Sequence, residues 1–235
     1  MILAGDLTRR VLLFVCLPLI AFSYFGILAI AARFSAHLYD WRRVAISKLL
    51  YPGYDPKFHA VASLGVAFAG LLIFPFAGYI RRRLIGTSAV VAGAGAFALG
   101  LGSIGLILAA LIVSHPAHGT ALFPWLHEML ARAAAAALGA GMIVFWACAA
   151  KGYLAAPAKA NQWRWLLISW SALTLPALLI ALLRLAAGTH LPWSNPIYQS
   201  LESRSLWPLG FWEWLGSAAV YLFLLSAVLF LPEAG

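Results

Sequence analysis

Residues 58–114 read FHAVASLGVAFAGLLIFPFAGYIRRRLIGTSAVVAGAGAFALGLGSIGLILAALIVS. Two apolar runs, 58–80 and 86–114, carry no acidic residue and are parted only by a turn holding Arg81, Arg82 and Arg83. Each run reaches the length of about 20 residues that a helix needs to cross a hydrocarbon core. Lone strands cannot satisfy their backbone groups in lipid, so both runs are expected to be helices. The short turn makes them antiparallel neighbours.

Four further runs match this pair, over 11–32, 124–150, 165–187 and 208–231. The chain of 235 residues is 64% hydrophobic and 10% charged, with mean hydropathy +0.92. A soluble domain carries about a quarter charged residues. The expectation is an all-α integral membrane protein, one domain over 1–235, built as a bundle of six transmembrane helices. The formal charge of +9 does not imply nucleic acid, because the basic residues sit in short clusters between apolar runs. Cys16 and Cys148 fall inside spans and read as small hydrophobes. The run from Val11 to Ala32 exceeds the roughly 7–15 residues of a signal-peptide core, so it reads as a retained first helix.

Lys and Arg divide nearly evenly between the two sides. The dense Arg81–Arg83 turn and Arg9–Arg10 favour the side that holds both termini as the cytoplasmic one. The expected location is a cell membrane crossed several times, with a bacterial cytoplasmic or inner membrane as the expected kind. The first loop on the other side, AHLYDWRRVAISKLLY (36–51), spaces Leu38, Trp41, Ala45 and Leu49 as a flat interfacial helix would; an irregular loop is the alternative. Ala92, Ala96 and Gly100, with Ala94, Ala98 and Gly102 beside them, face Ala133, Ala137 and Gly141 of the fourth span at small-residue spacing. This predicts a close hairpin of the third and fourth helices. Pro18, Pro75 and Pro176 lie within spans and are expected to kink them.

The titratable residues gather at one end. His37, His59, His115, His118, His127 and His190 fall there, with Asp40, Asp55, Glu128, Glu202 and Glu213; only Asp6 and Glu233 lie at the other. The stretch HPAHGTALFPWLHEMLAR (115–132) is the densest part. Glu128 and Arg132, four apart, share a helix face, and Arg132 lies deep enough that an unpaired charge is costly. The pair is either a structural lock or an anchor for a lipid phosphate or carboxylate. His115, His118 and His127 offer zinc-type ligands, though without a metalloprotease spacing. His59 and His127, from neighbouring helices, could bracket a haem; hydrogen-bonded helix-end histidines are the plainer reading. Glu213 heads the sixth helix, where the helix dipole favours an acid. The tryptophan-rich stretch 188–216 suits the headgroup zone and is long enough to fold over the other helix ends.

The segments FHAVASLGVAFAGLLIFPFAGYIRRRL, GLGSIGLILAALIVSHPAHGT and LHEMLARAAAAALGAGM resemble the bacterial membrane family called domain of unknown function 998. They are more distantly similar to DRAM-like membrane proteins. The resemblance covers about residues 40 to 145. It implies a six-helix bundle and supplies no reaction; the distant relatives imply lipid-related roles.

Three functions are therefore expected to compete. The first is an outer-face polar pocket of His59, His127, Glu128, Arg132 and Glu213 that binds or handles a lipid or other amphiphile. The second is a membrane hydrolase or transferase using the histidine cluster, with or without a metal. The third is an accessory subunit packed against other membrane-protein subunits. Membrane lipids are partners under each reading. A transporter is disfavoured, since no charge sits at the bilayer midplane and no paired broken helices occur.

Overall fold

The computed structural model describes residues 7–35, 39–114, 122–155, 160–188 and 209–232. It is all-helical, with no strand among the described residues. Six long helices follow one another: α1 over Arg9–Phe34, α2 over His59–Leu84, α3 over Ala89–Ser114, α4 over Leu122–Ala155, α5 over Ala160–Gly188 and α6 over Leu209–Phe230. Among the described residues, α1, α2, α3, α4 and α6 hold stretches long and apolar enough to cross a membrane. The helix α5 coincides with the run 165–187 and has 29 residues. The apolar runs of the sequence thus fix the helix centres, while the helices extend by a few polar or small residues at each end.

Pro18 does not break α1. It sits between two wider π-helical stretches, Leu12–Cys16 and Ala21–Gly26. Proline removes one ladder hydrogen bond and crowds the preceding turn, and wider turns on either side accommodate that locally. Pro75 lies buried inside α2, and Pro176 is exposed in α5.

The predicted α3–α4 hairpin forms, with a shifted seam. A Cβ added at Gly102 would lie 2.7 Å from the Leu138 backbone nitrogen, and one at Gly141 would lie 2.9 Å from that of Leu99. Gly105 faces Ala134 in the same way, at 3.2 Å from its Cα. The seam on α4 is therefore Ala134, Leu138 and Gly141, where Ala133, Ala137 and Gly141 had been expected; Ala133 is exposed. Gly100 turns toward α2 instead, with Phe74 3.6 Å from its added Cβ.

The core runs along the bundle through Phe76, Leu99, Phe145, Trp170 and Phe223, all fully buried. Trp170 stacks on Phe223 at 4.3 Å and donates to Ser226 Oγ at 3.0 Å, fixing α5 to α6. Trp146 donates to Ser171 Oγ at 2.9 Å and ties α4 to α5. At the end holding the α2–α3 turn, Arg9 donates to the Leu229 carbonyl and Arg83 to the Pro232 carbonyl at 2.8 Å. Two cations thus satisfy carbonyls at the C-terminal end of α6, where the helix dipole favours positive charge.

Gly141→Ala is expected to destabilise the bundle by about 1–3 kcal/mol, because the new methyl meets backbone that cannot yield cheaply. Gly139→Ala places its methyl in open space and is expected to be neutral. Thermal unfolding in detergent separates the two; matching melting temperatures would refute the seam.

Candidate functional site

The end of the bundle opposite the arginine turn is organised by one clamp. Residues 39–50 form a turn followed by the short 3-10 helix Ile46–Leu50, so neither a flat α-helix nor an irregular loop describes them. This segment lies against the start of α6. Gly210 is buried there, and a Cβ on it would sit 2.3 Å from the Val44 carbonyl oxygen and 2.9 Å from that of Trp41. Only a residue without a side chain permits that approach. The contact is then fastened by polar groups. The Phe211 amide donates to the Arg42 carbonyl at 3.1 Å, and the Ile46 amide donates to Glu213 Oε2 at 2.5 Å.

Around Glu213 the network extends inward. Trp214 Nε1 donates to the Tyr39 hydroxyl at 2.9 Å. Ser217 Oγ donates to the Glu213 carbonyl at 2.8 Å and lies 2.6 Å from the Tyr24 hydroxyl. Since the serine proton is committed to the carbonyl, Tyr24 is the donor to Ser217. Burial pushes the Tyr39 phenol up to about 12, against the opposing hydrogen bond from Trp214, so it stays neutral across physiological pH. Glu213 is accordingly a fastening group, holding the loop to the helix.

The two described histidines are each held by a backbone carbonyl. His59 Nδ1 lies 3.0 Å from the Asp55 carbonyl oxygen, and His127 Nδ1 lies 3.1 Å from that of Ala109. A carbonyl only accepts, so in both rings Nδ1 carries a proton, and in the neutral imidazole Nε2 keeps the lone pair. Metal-ligating histidines commonly have this arrangement, and so does a base. Asp55 itself is buried and accepts from the Phe58 amide at 3.0 Å, in the turn that precedes α2.

Glu128 and Arg132 pair through Oε1 and Nη2. Their side chains are 59% and 77% exposed, which turns the pair away from the bundle core. Among the described residues, no hydrogen bond or ion pair joins His59, His127, Glu213 and the Glu128–Arg132 pair to one another. The predicted site residues share one end of the fold, and His127 lies within electrostatic reach of Glu128. His37, His115, His118, His190, Glu202 and Arg204 lie outside the described residues. No cluster of three potential metal ligands occurs among the described residues.

Sequence reasoning missed the partners of the clamp: Tyr24, Tyr39, Gly210, Trp214 and Ser217. One signal was available. Glu213 and Ser217 lie four apart, one turn of α6, with Trp214 beside them and Gly210 a turn before. Their opposing groups are far away in sequence, and no periodicity links them.

Comparison of the chain with protein-family models, curated proteins and solved structures yields no match.

Gly210→Ala is expected to free the loop, so that the Ile46 and Phe211 amides exchange hydrogen faster. Gly216→Ala, with open space at its Cβ, is expected to leave them protected. Tyr39→Phe removes one buried hydrogen bond, a cost of about 0.5–1.5 kcal/mol. Because the folded Tyr39 titrates near 12 and an ordinary tyrosine at 10.0, its contribution is intact below pH 10.0 and fades as pH approaches 12. An alkaline unfolding curve unchanged by Tyr39→Phe would contradict this placement.

Proposed function

We propose that the chain is a six-span integral membrane protein of a bacterial inner membrane, both termini cytoplasmic, that binds or handles a lipid or other amphiphile at its outer end. Here α5 is counted as the sixth crossing. The observation that carries this reading is the outward-facing Glu128–Arg132 pair. Arg132 lies eight residues past position 124, where the fourth apolar run begins. That is about 12 Å along the helix axis. A guanidinium facing lipid at that depth is costly unless it is paired. Glu128 offsets the charge and uses only part of the five-donor fork. The remaining donors suit a phosphate or carboxylate, with bidentate geometry available. His127 precedes the acid in the chain and presents an accepting Nε2.

That same tautomer supports a second reading, a hydrolase or transferase with His127 or His59 as general base, or with a metal held by His115, His118 and His127. In that case purified protein carries stoichiometric zinc or another transition metal in elemental analysis, or loses turnover of a lipid ester on His127→Ala.

For the amphiphile reading, Arg132→Ala is expected to lower the lipid phosphorus that co-purifies with the protein and to weaken lipid binding about tenfold, the loss of one charge-assisted hydrogen bond. Lys151→Ala, exposed at the far end of the same helix, serves as control. Equal effects of the two substitutions would argue against it.

A further inference from the structure

At the opposite end, α2 and α3 leave an open groove of about 320 Å³. Its floor is made of small residues, including Gly78 and Gly100. Phe74, Phe97 and Ile104 form its walls, and Arg81 stands at one end. The three consecutive arginines differ in how they are used. Arg83 donates to the Pro232 carbonyl and lies over the Tyr79 ring at 5.0 Å. Arg82 also has a partner. Arg81 is exposed and makes no hydrogen bond or ion pair with any described residue. Its guanidinium lies three residues before the end of α2, within about 5 Å along the axis, and so at the level where a helix meets headgroups.

We propose that this groove holds one acyl chain of an anionic phospholipid, with the lipid's phosphate on Arg81. The inference goes beyond the function proposed above, since the site lies at the other end of the bundle. Two observations carry it. The first is charge: an arginine with unspent donors closes an otherwise apolar channel, and guanidinium geometry matches a phosphodiester. The second is room. Residues 96–104 span about 12 Å at 1.5 Å per residue, and the groove leaves open space of about 320 Å³ along them. A polymethylene chain can lie in it lengthwise; a helix of a second copy is the competing occupant.

The test is native mass spectrometry of the full chain in non-ionic detergent, titrated with palmitoyl-oleoyl phosphatidylglycerol and, separately, with the phosphatidylcholine of the same chains. Phosphatidylglycerol is expected to bind more tightly. Arg81→Gln is expected to weaken that binding about tenfold, the size of one charge-assisted hydrogen bond. Gly100→Leu fills the groove and is expected to weaken binding at least as much. Should that variant fold poorly, Phe97→Ala removes a wall whose side chain is already 73% exposed and is expected to weaken binding several-fold. Arg10→Gln, exposed on α1 at the same end, is expected to change nothing. A loss on Arg81→Gln with full binding by the groove variants would reduce the site to surface charge and overturn the proposal. Equal binding of the two lipids, or conversion of a dimer to a monomer by Gly100→Leu, would also overturn it. Arg132→Ala leaves this binding intact, so the two lipid readings fail separately.

Discussion

A hydrocarbon core offers no hydrogen-bond partner to a backbone or a charge, and that single constraint arranges this molecule. Among the described residues, five helices have the length and apolarity to cross such a core. Their polar groups are consequently driven to the helix ends or used up internally. Buried Ser103 and Thr174 bond to carbonyls of their own turn, at Leu99 and Trp170, whereas buried Ser63 Oγ has no hydrogen-bond partner among the described residues. Buried indoles find serine oxygens on the next helix. Charge is left for the two ends, and each end uses it differently.

One end is fastened by side chains reaching backbone. Glu213 accepts from the Ile46 amide, and the approach it secures depends on the missing side chain of Gly210. Tyr39 and Trp214 brace the same contact. The arrangement makes residues 39–50 a lid tied to α6. At the other end, Arg9 and Arg83 close the C-terminal turn of α6 from two different helices. The bundle is thus laced at both ends through α6, while Arg132 and Arg81 face outward with donors to spare.

The helices were legible because an apolar run of about 20 residues has few alternatives. The α3–α4 hairpin was legible for a similar reason: glycine and alanine at helical spacing announce close packing. The phase of that seam was not. On a helix so apolar all round, four-residue steps through Ala96–Gly100 and through Gly95–Leu99 are equivalent until a partner is fixed, and the partner chose the second. The end at which His59, His127 and Glu213 lie was also readable, since it follows from the order of the helices. Whether they converge was not, because Glu213 met an amide from a loop 167 residues away and Arg132 turned outward on its own helix face. Arg81 read as a topology signal; its role at a groove depends on which faces of α2 and α3 stay apart.

The central claim is that the clamped end and the arginine end lie on opposite sides of a membrane, the clamp outside. Single cysteines placed at Lys48 and at Gly86, both exposed, report this directly, since Cys16 and Cys148 are buried. A membrane-impermeant maleimide added to intact cells should label the cysteine at position 48 and reach position 86 only after the membrane is opened. Labelling of both positions from one side would contradict the account.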